Sequence, residues 1–400
     1  MLESPWLIAA LWIGMALLAS MISIRVGISV ALIEIIVGAV AGNAIPWVGS
    51  LFSTHVKLET TPWINFLASF GAILLTFLAG AEIEPDVLKK HWKPSLAIGF
   101  ISFLMPFLGA MAAAHWLLGW RLPASMIAGV ALSTTSVAVV YAVMLETGLN
   151  KRDIGKLILA SCFVTDLGTV LALGVMFANY NWWLVLFLGV SAVIMPFAPR
   201  LTQRFLSRYE GQVSEPEIKL LLLMLFVLGG LAAAANSEAV LPAYILGLVV
   251  AGVLRHHKET VYHIRVAVFA LLTPFYFLKA GALISGSAIA QGALVILLLL
   301  LVKVAAKFVG VYPTAKLFKM NNRVSMYTTL LMSTGLTFGT ISAMFGLNRN
   351  LIDSSQYSTL VVVVIASAVV PTLIAQRWFQ PHVPLEEEIA NGAQEDSSRP

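Results

Sequence analysis

Asp166 lies in "SCFVTDLGTVLALG" (residues 161–174), a helix-length apolar stretch with no Lys, Arg or His within seven positions on either side. A charge in hydrocarbon costs several kcal/mol, so an ionisable group at that depth is a functional hypothesis by default. A carboxylate can hold a proton or a hard monovalent cation, but poorly both at once, and that competition can couple the two. Hard cations prefer oxygen ligands. Thr165 offers a neighbouring hydroxyl. Thr134, Thr135 and Ser136 in "ALSTTSVAVV" and Ser333 and Thr334 in "LMSTGLTFGTIS" supply further oxygens.

Three lysines also fall within apolar stretches. Lys303 stands 13 positions before Lys316, as Asp166 stands 13 past Asp153. At 1.5 Å per residue both lie roughly 20 Å from the inner charges, near the bilayer centre. Lys303 is therefore a charge-compensating partner of Asp166 or a second proton carrier. Lys307, one turn further, is nearer the inner surface and can snorkel. Lys279, about seven residues from the outer end of its stretch, is expected to snorkel outward. Glu34, nine residues past Arg25, either packs or lines an entrance. His256, His257 and His263 in "RHHKETVYHIR" are expected in a solvated, charged inner loop.

Little else supports chemistry. A lone cysteine, Cys162, excludes an internal disulfide and a cysteine metal cluster. No Walker A or GxGxxG loop is present, so no nucleotide or other cofactor is expected. An aspartyl protease needs two carboxylates sharing a site, and Asp353 lies at an outer helix mouth. "HHKE" does not satisfy HExxH. No catalytic residue is assigned, and the chain is not expected to be an enzyme.

The elements that position these residues are membrane spans. The chain of 400 residues is 59% hydrophobic and 11% charged, with mean hydropathy +0.89, outside the range of soluble domains. Thirteen stretches have the length and apolarity of spanning helices: 5–24, 27–45, 63–82, 94–118, 122–146, 153–177 and 181–198, then 216–235, 239–254, 266–285, 290–315, 323–346 and 354–376. With the N-terminus outside, most of the 25 Lys and Arg residues fall inside, against Lys57, Arg121 and Arg349 outside. That asymmetry supports an N-out, C-in topology. The pI of 9.3 reports topology, and no nucleic-acid partner is expected. Glu3 before the first span and Arg25 after it reverse the charge order of a signal peptide. The expected fold is all-α and polytopic, with a transmembrane domain over residues 1–379. Residues 380–400, with Glu386, Glu387, Glu388, Glu395 and Asp396, form a short acidic cytoplasmic tail, expected to be disordered.

Thirteen spans divide as six, one and six, giving two inverted repeats with the seventh span as connector. The fifth and twelfth spans then correspond, and both carry clustered Ser, Thr and Gly at mid-span. Matched interruptions in two halves are a sequence pointer to a midplane transport site.

Three motifs resemble the monovalent cation:proton antiporter superfamily, in its Kef-type or sodium–proton exchanger branch. "SFGAILLTFLAGAEIEPDVLKKHW" is similar to that family's third-helix signature, "ALIEIIVGAVAGN" to its second-helix pattern around Glu34, and "FVTDLG" to its ion-binding acid pair. The resemblance implies a homodimer in the lipid bilayer. Each protomer would have a scaffold (spans 1–3 and 8–10) and a mobile core (94–177 and 290–376) that moves as an elevator. In the core, the fifth and twelfth spans would cross as broken helices beside Asp166. By position Asp166 matches the essential aspartate and Lys303 the core lysine of electrogenic members. Thr165 replaces the first acid of the pair, and Lys279 replaces a small or apolar residue. No nucleotide-sensing domain is present on this chain.

The expected function is secondary active antiport of Na+ or K+ against H+, in the inner (plasma) membrane of a bacterium, serving pH homeostasis. The alternative is a sodium-coupled symporter of an organic anion with the same inverted-repeat architecture, which calls for a roomier polar cavity. A channel is disfavoured because no repeated filter or ring of charge appears.

Overall fold

Every regular element is helical in the computed structural model, which describes residues 4–26, 29–51, 61–81, 92–147, 149, 152–177, 181–235 and 239–381. The first half contains α1 (Pro5–Val26), α2 (Val30–Leu51), α3 (Pro62–Ala81), α4 (Trp92–Ala112), α5 (Leu122–Ser133), α6 (Val137–Glu146) and α7 (Asp153–Met176). The middle contains α8 (Trp182–Tyr209), α9 (Pro216–Ala234), α10 (Val240–Leu254), α11 (Lys258–Ala267) and α12 (Thr273–Ala282). The last part contains α13 (Gly286–Leu317), α14 (Asn322–Met332), α15 (Thr337–Asn348) and α16 (Ser354–Ile374). Single π-turns prolong α4 (Ala113–Leu117), join α11 to α12 (Val268–Leu272) and extend α16 (Ala375–Phe379).

Ten helices are long and apolar enough to cross a membrane, and three shorter apolar helices accompany them, at Val30–Ala44, Leu122–Ser133 and Val240–Leu254. This length and composition mark an integral membrane protein. In lipid each backbone polar group must be satisfied within the protein, which selects continuous helices. Their ends are closed by short polar side chains. Asn181, Ser285 and Asn321 accept the N–H groups of Leu184, Ala288 and Val324. Asp353 accepts from Gln356 N at 2.8 Å, and the Gln356 side chain accepts from Asp353 N at 3.0 Å. That reciprocal cap explains an acid at the mouth of α16.

Two stretches depart from expectation. The seventh span does not stop at residue 198: α8 runs for 28 residues to Tyr209, because Arg200, Arg204 and Arg208 continue the helix on a face that water can solvate. The "RHHKETVYHIR" stretch is not a loop throughout. From Lys258 it forms α11, whose Thr260 and Ile264 are buried. His257 Nδ1 lies 2.8 Å from Glu210, and His263 Nδ1 lies 2.6 Å from Glu215, tying α10–α11 to the α8–α9 turn. The acidic tail from residue 382, Lys57, Lys89, Lys90, Lys151 and the "EIEPDVLKKH" part of the third-helix motif lie outside the described residues.

Four helices interlock through glycine. α2 packs on α12, and α3 packs on α10. A methyl group at Gly38 would overlap the Leu278 carbonyl, and one at Gly281 would overlap that of Ile35. Gly80 and Tyr244, and Gly247 and Phe77, meet in the same way. Close backbone approach through small residues is how helices bind one another in lipid, where hydrophobicity gives no drive. On the other side α4 packs on α5, α7 and α13, while α13 packs on α14 and α16.

These contacts predict unequal tolerance of glycine substitution. Gly38→Val and Gly80→Val drive a side chain into a neighbouring backbone that cannot rotate away, an overpacking that costs about 1–3 kcal/mol or more. Gly14 has nothing within 4 Å of its Cβ position. Thermal unfolding in detergent, followed by size-exclusion fluorescence, should fall by several degrees for Gly38→Val and Gly80→Val and stay within about a degree for Gly14→Val.

Candidate functional site

The helical ladder fails at two places, both within the most enclosed part of the chain. α5 ends at Ser133, Thr134 turns to an extended conformation with ψ 154°, and α6 resumes at Val137. α14 ends at Met332, and α15 resumes at Thr337. Helix-favouring residues give way here to Ser, Thr and Gly, whose short side chains can replace lost backbone partners. The two interruptions meet. Ser136 N donates to Thr334 O at 3.1 Å, and Thr135 Oγ1 donates to Met332 O at 2.9 Å.

The remaining hydroxyls turn their protons onto nearby carbonyls. Ser133 donates to Val130, Thr134 to Ala131, Ser333 to Thr329 and Thr334 to Leu331, at 2.7–3.0 Å. A hydroxyl used this way keeps its lone pairs for another partner. Thr134, Thr135, Ser136, Ser333 and Thr334 are all buried.

Both core lysines serve the interruptions, and they do so differently. Lys307 Nζ donates to Ser102 Oγ (2.7 Å), Ser133 O (3.0 Å) and Thr135 Oγ1 (3.2 Å). Three acceptors match the three protons of an ammonium group. One of them, Ser133 O, belongs to the last turn of α5, where the helix dipole favours a cation. Lys303 Nζ donates to Ser367 Oγ at 2.8 Å and lies against Gly335 in the second interruption. A methyl at Gly335 would overlap that ammonium and stand 2.9 Å from Thr134 Oγ1.

Asp166 projects from α7 beside this junction and is 1% exposed. Its Oδ1 has no hydrogen-bond partner among the described residues. Thr165 Oγ1 shares its proton between Gly99 O (3.1 Å) and Ser161 O (3.0 Å). Asp166 stands on α7, which packs on α5, α6, α14 and α15. A buried carboxylate with an unsatisfied oxygen can hold one proton or one hard cation.

Several expected positions are revised. Lys307 does not snorkel to the inner surface. It is 0% exposed, because three acceptors at the α5 break hold it at the centre. Lys303 donates to Ser367 of α16. Lys279 does not reach outward and is 8% exposed. Glu34 is buried in α2 with Oε2 unpartnered, in the α2–α12 layer and apart from the Asp166 junction. Lys307, Ser133 and Thr135 are brought together at the first break, and Lys303, Thr134 and Ser367 surround Gly335 at the second, while Thr165 is tied to Gly99 of α4.

Sequence reading passed over Ser102, Ser367 and Tyr244. Ser102 and Ser367 each lie four residues before a helix proline, Pro106 and Pro371, and that pairing was the available signal. Tyr244 of α10 donates to Phe163 O, on the turn that precedes Asp166, at 3.1 Å. Its ring meets Phe338 edge-on at 6.1 Å between centroids.

Comparison with known proteins identifies the family. The chain is 26% identical over 381 residues to a Na(+)/H(+) antiporter of Enterococcus hirae, covering 89% of this chain and 93% of that protein. It is 25% identical over 336 residues to a probable Na(+)/H(+) antiporter of Methanocaldococcus jannaschii, covering 80% and 85%. The fold is similar to that of the sodium proton antiporter MjNhaP1 from Methanocaldococcus jannaschii, with TM-score 0.68 at 15% identity over 93% of this chain and 98% of that one. The profile of one family, described as "Sodium/hydrogen exchanger, transmembrane", matches residues 13–380. With nearly the whole chain matched, and the all-helical membrane fold in agreement, this chain belongs to the transmembrane sodium/hydrogen exchanger family.

Proposed function

We propose that the chain exchanges Na+ or K+ for H+ at Asp166, with the two ions competing for one carboxylate that opens to each side in turn. The observation that carries this reading is the buried Asp166 Oδ1 without a donor, set beside two interrupted helices whose hydroxyl oxygens retain lone pairs. Names of relatives as Na(+)/H(+) antiporters favour sodium. Thr165 contributes a ligand oxygen, and Thr134, Thr135, Ser136, Ser333 and Thr334 shape the oxygen-rich junction.

In this reading the protein has thirteen spans, N-out and C-in. The ten long helices and three shorter apolar ones provide that number when α5 and α6 count as one crossing. Two inverted repeats explain why α2 on α12 and α3 on α10 form equivalent glycine contacts, since exchanging the halves maps one pair onto the other. The same exchange relates Ser133–Thr134 to Ser333–Thr334. The scaffold then comprises spans 1–3 and 8–10, and the core comprises residues 94–177 and 290–376. A homodimer in the plasma membrane would cover part of α1 and α8, the least enclosed of the long helices.

Lys307, with all three protons donated, is the fixed charge that holds α5 and faces Asp166. Lys303, with one acceptor at Ser367, is the lysine free to exchange a proton and add a second one to the cycle.

Two outcomes test this reading. Asp166→Asn should keep the fold yet abolish cation-driven proton flux in proteoliposomes, and full flux in a folded Asp166→Asn protein would end the competition mechanism. The lysines should separate by stability. Lys307→Met strands three acceptors at the break and should cost about 3 kcal/mol or more, whereas Lys303→Met strands one and should cost about a third as much. Denaturation midpoints of the two variants, measured side by side in detergent, check the order.

A further inference from the structure

Between α3, α9, α10, α12 and α15 is a second polar space, a cavity of about 370 Å³, within the range of small-molecule sites. Lys279 lines it from α12, and Arg349 stands at the end of α15. Lys279 is 8% exposed, and no hydrogen bond or ion pair reaches its ammonium among the described residues. The rest of the wall is mainly apolar, including Ile73, Ile341 and Met344. Among the described residues neither Asp nor Glu lines it.

This inventory is the wrong one for a cation and the right one for an anion. An ammonium removed from water without a counter-charge is costly. One anionic group removes that cost through charge-assisted hydrogen bonds from Lys279. The apolar wall requires that the anion carry a hydrophobic body.

We propose that this cavity is a binding site for a small amphipathic organic anion, a carboxylate or sulfonate on an aromatic or short aliphatic body, taken from the aqueous phase on the side where α12 and α15 end. The anionic head contacts Lys279 Nζ, and the body lies against Ile73, Ile341 and Met344. Because the walls come from both α12 and α15, the occupant bridges helices that the proposed function assigns to scaffold and core. Only that bridging consequence rests on the exchange reading.

Binding is therefore tested without transport. Naphthalene-2-sulfonate, which carries no proton across a bilayer, is titrated calorimetrically into the purified full chain in detergent, with short-chain phosphatidylglycerol as a parallel ligand. The expected result is saturable binding of the sulfonate, weakened at least about tenfold by Lys279→Met and largely retained by Lys279→Arg. Melting curves of each variant establish that the fold persists. Equal affinity in wild type and folded Lys279→Met would overturn the proposal. So would binding of phosphatidylglycerol alone, which would make the occupant a lipid headgroup.

Discussion

Everything in the core depends on how two helices are allowed to break inside a low-dielectric slab. Each interruption strips carbonyls of their intrahelical partners, and lipid supplies no water to replace them. The protein answers with side chains from other elements. Lys307 of α13 reaches the last turn of α5, Thr135 of the first break reaches Met332 at the second, and Ser136 N reaches Thr334 O. The breaks are thus mutually dependent, and each one holds part of the other's backbone in place. Asp166 stands on α7, which packs against both interrupted helices.

The same logic explains the choice of residue types. Serine and threonine satisfy a carbonyl with the proton and leave the oxygen available, whereas an amide or a second carboxylate would bring its own unsatisfied atoms into the interior. Placing Thr165 rather than an acid beside Asp166 leaves one negative charge among two lysines. Their surroundings differ, with three acceptors for Lys307 and one for Lys303.

Much of this was legible in the chain. Hydropathy marked the apolar helices, and the Ser/Thr/Gly runs at 133–136 and 333–335 marked both interruptions. A lone Asp166 in apolar surroundings announced itself. Partner assignment was harder, because position along a helix says nothing about azimuth. Lys303 and Lys307 differ by one turn, yet they reach acceptors on different helices, Ser367 of α16 and Ser133 of α5. Snorkelling was expected of Lys307 and Lys279 from side-chain length alone. It fails at Lys307 because the carbonyl end of α5 offers closer partners, and at Lys279 because α12 presents it to an internal space. Glycine contacts such as Gly80 with Tyr244 are invisible in sequence until the facing helix is known.

The two kinds of helix contact in the protein differ mechanically. Where α2 meets α12 and α3 meets α10, main chains touch through glycine, and a displacement of even an ångström along the interface would drive carbonyls into one another. Such a joint behaves as a weld. Where α10 meets α7, a tyrosine hydroxyl rests on one carbonyl and its ring on the edge of Phe338. Contacts of that sort can be released and remade one helical turn further along, since every turn presents another carbonyl at the same spacing. The chain therefore contains a stiff frame and, facing it, a surface with the detents of a ratchet.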